Sequence, residues 1–548
     1  MSKQYVPWTP DQSFLLPPSP REWLPEDHLV YFVLDVVAGL SLDTIERAIQ
    51  AKDARGNRPF NPRMMVALLL YGYCVGTASS RKLERATHVD VAFRVLTGGV
   101  HPDHTAISEF RRVHLEALKG LFVQVLRLCQ KAGLVKLGHV ALDGTKVKAN
   151  ASKHKAMSYE RMGKSEKQLE EEIQKLLEEA EREDAEEDER YGKDKRGDEL
   201  PEELRRRETR QKAIQRAKQG LEAEAAQARA EELKEQAERA KVKAEQEEGS
   251  QKKADERAEE ARKASEKART KAEEWLADAE QEALKAGEQA GTRVEQCAAR
   301  AAERAAEAAE RHLEKVTRTL FSEAEMGDQP SLPEHRVQAD AEGNPKPSAQ
   351  RNFTDPDSRI MKSGSDFVQA YNCQVIVSEG HQIIVAQAAT NQAPDVEHLM
   401  PLVNQMEGNL GQLPEVLTAD TGFWSEKNAS FCEAKGIDPY IATGRQKHGL
   451  ATPAATDEKP ATAKPDVREP MRQKLRTEDG RKVYSRRKAV VEPVFGQLKE
   501  ARGFRRFLLR GIESVRGEWS LICTGHNLLK LFNASKASPF AMPAAAAA

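Results

Sequence analysis

The chain has 548 residues, and 85 Lys and Arg set against 87 Asp and Glu leave a formal net charge of -2. That length suits several domains, and the balance says little about partners except locally, since residues 471 to 510 hold thirteen Lys or Arg against four Asp or Glu. Six scattered cysteines without a CxxC pair exclude a zinc finger and read as reduced thiols of a cytoplasmic protein, and the lack of a long apolar run excludes a membrane span.

Residues 1–28, rich in Pro and aromatics, read as an extended arm, and MSKQYVPWTP lacks a signal-peptide pattern. From 29 to 137 apolar residues recur at helical spacing, as in Met65, Leu68 and Leu69 and in Leu118, Leu121, Val125 and Leu126. In HPDHTAISEF, Asp103 or Thr105 is a helix N-cap, and Arg111 and Arg112 close that helix. Short helices with a basic end suit a DNA-binding domain; an ordinary helical bundle is the alternative. GHVAL (138–142) reads as a buried strand ending at Asp143.

From about Ser152 to Phe321 Ala, Glu, Lys, Arg and Gln dominate, and the only aromatics between Arg161 and Leu320 are Tyr191 and Trp275. With Leu and Ile sparse, the segment predicts long exposed helices, a loose antiparallel coil broken near Gly192–Pro201 and Gly249, with little packing on the rest. Residues 322 to 365 read as a linker. A hairpin (366–378 and 381–390) follows, then a helix (395–405), a strand (415–420), a helix (425–435), a strand (437–443), a polar loop (444–470) and a helical region from Tyr484 to Leu531. The final residues, 533–548, read as a disordered tail. With the charged segment set aside, the order is that of an α/β domain with a mixed sheet.

Three acids stand out in this frame: Asp143 after VAL, Asp420 after VLTA and Glu492 in VVEPVFG. Carboxylates held on rigid elements can share hard divalent cations, the arrangement that phosphodiester chemistry needs. Singly, an Asp after a strand is most often a turn former or helix cap, and Glu492 beside a basic run is most often an ion-pair partner. Trp424 or Trp519 could stack on a base, although a core role is the commoner one. His101 and His104 lie close together, but nothing completes a zinc site.

The combination resembles DDE transposases of bacterial insertion sequences. The resemblance rests on ALDGTKVKANAS (141–152), TDPDSRIMKS (354–363), YNCQVIV (371–377), LTADTGF (417–423) and YSRRKAVVEPVFGQLKEARGFRRFLLRG (484–511). It implies a helical DNA-binding domain (29–137) and an RNase H-like core (138–152 and 351–532) interrupted by a helical insertion and linker (153–350). It implies Asp143, Asp420 and Glu492 as catalytic ligands of Mg²⁺ or Mn²⁺. Within a Tyr-Arg-Glu-Lys signature it implies DNA contacts from Tyr484, from Arg487 or Lys488 and from Lys499. Arg502, Arg505, Arg506 and Arg510 would extend a positive track along the DNA. Partners would be the element's terminal repeats, target DNA and a second copy of the chain in the paired complex. An inactive relative retained as a DNA-binding protein is the alternative, and the three intact acids argue against it.

Overall fold

Among the described residues seven helices come first, and side chains that the sequence supplies cap four of them at the N-terminus. In α3 (Pro62–Val75) the Asn61 side chain accepts from the backbone of Arg63 and Met64, Pro62 starts the helix, and Gly76 ends it with a left-handed φ of 79°. Asp90 caps α5 (Val91–Thr97), and Asp103 caps α6 (His104–Val113) by accepting from Thr105 and Ala106 N–H at 2.8 Å each. The others are α1 (Leu29–Gly39), α2 (Asp43–Gln50), α4 (Ser80–Val89) and α7 (Leu115–Lys131). These belong to a computed structural model that describes residues 22–51, 58–191, 202–246, 251–288, 291, 293–321, 332–444 and 467–537. The arm before residue 22 lies outside that set, as do most of the loop at 444–470, both expected breaks in the charged segment and the tail beyond 537.

The next element, β1 (Val135–Lys148), departs from expectation. It runs through Asp143 to Lys148 rather than stopping at the acid. The polar half looks like a turn in sequence, but β5 (Asp366–Gly380) pairs with it antiparallel all the way, Asp143 opposite Val375 and Lys148 opposite Ala370. On its outer edge β5 pairs first with β4 (Arg359–Ser363) and then with β6 (Ile384–Thr390). On the other side β1 pairs in parallel with β7 (Val416–Ala419), and β7 pairs in parallel with β8 (Asp438–Ile441). The mixed sheet therefore reads β6-β5-β1-β7-β8, with β4 continuing the β6 edge. The helices α12 (Leu399–Leu410) and α13 (Glu426–Ala434) supply the crossovers around β7.

After β8 come α14 (Glu469–Arg476), α15 (Glu478–Gly496) and α16 (Ile512–Ala537). The helical reading from Tyr484 onward is broken by non-helical residues 502–511, and α16 claims the first five residues assigned to the tail. α16 lies between the N-terminal helices and the sheet. Gly525 lets it cross α3 closely, since a Cβ there would stand 3.1 Å from the Tyr73 carbonyl carbon. The buried apolar residues of the N-terminal helices, the mixed sheet, α15 and α16 consequently form one continuous core.

The charged segment is neither loose nor unattached. After β2 (Ala156–Ser158), α8 (Tyr159–Tyr191), α9 (Glu202–Gln246), α10 (Gln251–Glu288) and α11 (Arg293–Val316) form an antiparallel bundle. Its seams are alanines, with Ala225, Ala230, Ala268, Ala272 and Ala309 each at most 1% exposed. Small side chains let helices approach closely enough to bury a seam without Leu or Ile. Met162, Leu169, Ile214 and Leu221 pack on Val337 and Phe353, and β2 pairs with β3 (Gln350–Asn352), so residues 332–365 of the expected linker hold the bundle to the core.

Candidate active site

The register of β1 on β7 decides where two of the acids lie. Leu142 pairs with Ala419, so the next residue on each strand, Asp143 and Asp420, falls side by side where β7 ends and β1 continues. Asp143 Oδ1 accepts the Gly144 N–H at 2.8 Å, and Asp420 Oδ1 accepts the Gly422 N–H at 2.9 Å, which starts a short 3₁₀ turn. Burial pushes the Asp143 carboxyl up to about 6, helped by the Asp420 charge and opposed by Arg487. Burial also raises Asp420, with Asp395 adding to it and Arg487 and Lys146 opposing. Two anions are thus held where neither is comfortable, and a cation would offset both.

α15 delivers the first cation. Arg487 is buried, and its Nη1 donates to Asp143 Oδ2 at 2.9 Å. Its guanidinium carbon lies 5.9 Å from the centre of the Tyr484 ring. The helix runs unbroken through Pro493. Pro493 has no N–H for the Ala489 carbonyl, and the Gln382 side chain donates to that carbonyl instead, at 3.1 Å. A π-helical turn (Gln497–Ala501) follows, from which Lys499 donates to Thr145 Oγ1 and to the Lys146 carbonyl at 3.0 Å.

Asp143, Asp420, Tyr484, Arg487 and Lys499 are therefore gathered along one face of the sheet. Glu492 is on the same helix with its side chain exposed, about 140° round the axis from Arg487 at 100° per residue. Among the described residues no three His, Cys, Asp or Glu are gathered in a metal-holding group, so the aspartate pair is the preformed part. Lys488 is exposed one position beyond Arg487.

The positive track divides. Arg506 and Arg510 are exposed, Arg510 donating to the Asn150 carbonyl at 3.0 Å, and Arg505 is exposed but paired with Glu500. Arg502 turns inward, with its guanidinium 3.1 Å from His526 Nδ1, because the π turn aims position 502 between α3 and α16. Trp519 is buried in the core and Trp424 is half-buried. His101 stacks on His88 with ring centres 4.0 Å apart, and His104 pairs with Glu84.

The sequence reading missed a third aspartate. Asp395 Oδ1 accepts from Asn372 and Gln374 at 2.7 Å each and from Lys146 at 3.2 Å. β1 alternates, so Lys146 and Gly144 point to the face opposite Asp143 and Thr145. Asp395 thus anchors a loop on the far side and reaches the pair through Asp420. Gly144 is required there, since a Cβ would meet the Gln374 amide at 2.4 Å. Its signal was weaker than that of the other two, an acid in the loop beyond Thr390 rather than one directly following an apolar run.

Two family models match the chain. A transposase DDE domain matches residues 454–532, and a transposase domain (DUF772) matches residues 18–113. Together they indicate an insertion-sequence DDE transposase. The DDE match takes in α14 to α16, hence Tyr484, Arg487, Glu492 and Lys499, and the other match takes in α1 to α6. No curated protein and no solved structure matches significantly. Among the described residues no helix is long and apolar enough to cross a membrane.

Proposed function

We propose that the chain cuts phosphodiester bonds at the ends of an insertion sequence, exposes 3′-OH groups and transfers them to target DNA, on an RNase H-like core. The observation that carries this reading is the β1–β7 register, which sets Asp143 beside Asp420 under Arg487. The sheet order supports it: the three strands central to the site, β1, β7 and β8, run parallel, and β5, with β4 and β6 paired antiparallel to it, completes one edge. Asp143 and Asp420, with Glu492 from α15, would hold Mg²⁺ or Mn²⁺. The aspartate pair fits: hard carboxylate oxygens suit these ions, and a divalent charge favours the ionised form of two carboxyls that burial holds above their ordinary range. Bound there, the metals supply activation of the attacking oxygen and stabilisation of the leaving one.

The chain's own groups do the rest. Arg487 holds the Asp143 carboxylate in place and is within reach of a phosphate brought to it. Lys499, fixed on Thr145, adds a positive charge further along the same face, and Tyr484 shields Arg487 from water. Arg505, Arg506 and Arg510 grip the backbone of the bound duplex, and α1 to α6 bind the element's ends. A second copy would serve the second end.

The test is cleavage of duplex carrying the element's ends, in Mg²⁺. Asp143→Asn, Asp420→Asn and Glu492→Gln should each lower the rate by several orders of magnitude and leave DNA binding nearly intact. Substantial activity in any one of them would remove that residue from the ligand set.

A further inference from the structure

The β4–β5 hairpin leaves an apolar tip uncovered, with Phe367 58% and Ile360 38% exposed. Phe367 pairs with Lys362, and Ile360 pairs with Gln369. Opposed residues share a face of the sheet, and the β5–β1 register carries that face through to Thr145 and Asp143. The tip and the aspartate pair are therefore on one side of the sheet. The hairpin's own acid, Asp366, falls on the other side by alternation. From Val375, opposite Asp143, to Phe367 is roughly 27 Å of extended strand, the length of about eight base pairs. Arg506 is exposed in a segment held to Lys148 by backbone bonds of 3.1 and 2.9 Å, and that pairing puts it on the opposite face, so Lys362 is the cation on the tip's own side.

We propose that this hairpin is a DNA-gripping prong. Phe367 and Ile360 wedge into the minor groove of duplex DNA, and Lys362 meets a phosphate beside them. The contact falls about three-quarters of a helical turn from the phosphate at Asp143. Apolar side chains flanked by cations part a base step and bend a duplex, and the bend lets more of the basic surface engage. The charge fits DNA: the tip offers a cation and apolar atoms, with its acid turned away. The inference rests on the transposase reading.

The experiment uses the full chain and a short random-sequence duplex with a dye at each end, so that energy transfer reports bending and titration reports affinity. Wild type should bend the duplex. Phe367→Ala should bind about five- to tenfold more weakly and lose the bend. Phe367→Leu, still an apolar wedge, should keep it. Lys362→Ala should lower the salt dependence by about one phosphate contact and keep the bend. Equal affinity and bending in wild type and Phe367→Ala would overturn the prong and leave the transposase reading standing. A wild-type chain that binds no duplex at all would overturn that reading and the prong with it. A DNA-free dimer that Phe367→Ala dissociates would assign the tip to a second copy instead.

Discussion

Asp355 is fully buried in the turn before β4, where one oxygen accepts the Tyr371 hydroxyl at 2.8 Å and the Gly511 N–H at 3.1 Å. Its other oxygen has no partner, and burial, with Asp357 nearby, lifts its carboxyl from 3.8 to about 6. The folded chain therefore holds a proton that the unfolded chain gives up between those values. Stability falls as pH rises through that window, and the loss is complete above about 6. Asp355→Asn keeps both accepted bonds and removes the charge. In urea titrations it should match wild type near pH 4 and exceed it at pH 7 by up to about 3 kcal/mol. A pH-independent difference would show that the charge is not the cause. Arg502 and Arg506 make a second contrast at this scale. Arg506→Ala should reduce the salt slope of DNA binding by about one contact. Arg502→Ala, which strips a buried partner from His526, should leave that slope alone and cost roughly 2 kcal/mol of stability. Sequence spacing put both arginines on one track; only the π turn, invisible in composition, separates them.

Among the elements, α15 shows how a helix tolerates a proline. The Ala489 carbonyl that Pro493 cannot serve is satisfied from outside by Gln382, a non-glycine residue at a φ of 57° that also bonds Lys530 at 2.8 Å. Gln382→Ala should cost about 1 kcal/mol in the native background. Restoring the helix's own bond with Pro493→Ala should shrink the cost, so a double-mutant cycle should show coupling. Independent, additive costs would mean that the Gln382 bond to Ala489 contributes nothing. The strands β5 to β8 and the helix α13 were legible to within a few residues, because apolar runs bounded by turn residues match their burial. The end of β1 was not. Gly144, Thr145, Lys146 and Lys148 read as a turn, and their strand conformation is imposed by β5 and by the segment at Arg505–Phe507, contacts hundreds of residues away. The aspartate pair was legible as two acids following strands, but the register that joins them was not. Asp395 was passed over because its partners, Lys146, Asn372 and Gln374, come from other strands.

At the scale of the molecule, the bundle and the core are joined through buried charge as well as apolar contact. Glu224 on α9 bonds Arg351 at 2.9 Å and Arg359 at 3.4 Å, both from strands at the edge of the core. Glu334 bonds Lys315 of α11 at 2.6 Å and Arg516 of α16 at 3.2 Å. Burial by itself would raise the Glu224 carboxyl, but the two arginines outweigh it and hold the group below its ordinary 4.5. Its contribution is therefore fully present above that value and is lost as pH falls beneath it. A charge-rich segment reads as solvated because composition cannot show which few charges are turned inward. Here Arg351 is only 4% exposed, and without Glu224 it would be a buried cation lacking a carboxylate partner. Glu224→Ala should thus destabilise the whole chain by roughly 3 kcal/mol, well beyond the fraction of a kcal/mol expected for an exposed pair such as Lys263 with Glu259. Replacing the bundle with a short Gly/Ser linker should be worse, since it also uncovers Val337 and Phe353. The expected outcome is a single cooperative unfolding transition in wild type, shifted but still single in Glu224→Ala. Two separate transitions, with only the bundle's helical signal sensitive to Glu224, would mean that bundle and core fold independently and that the ion pairs merely touch.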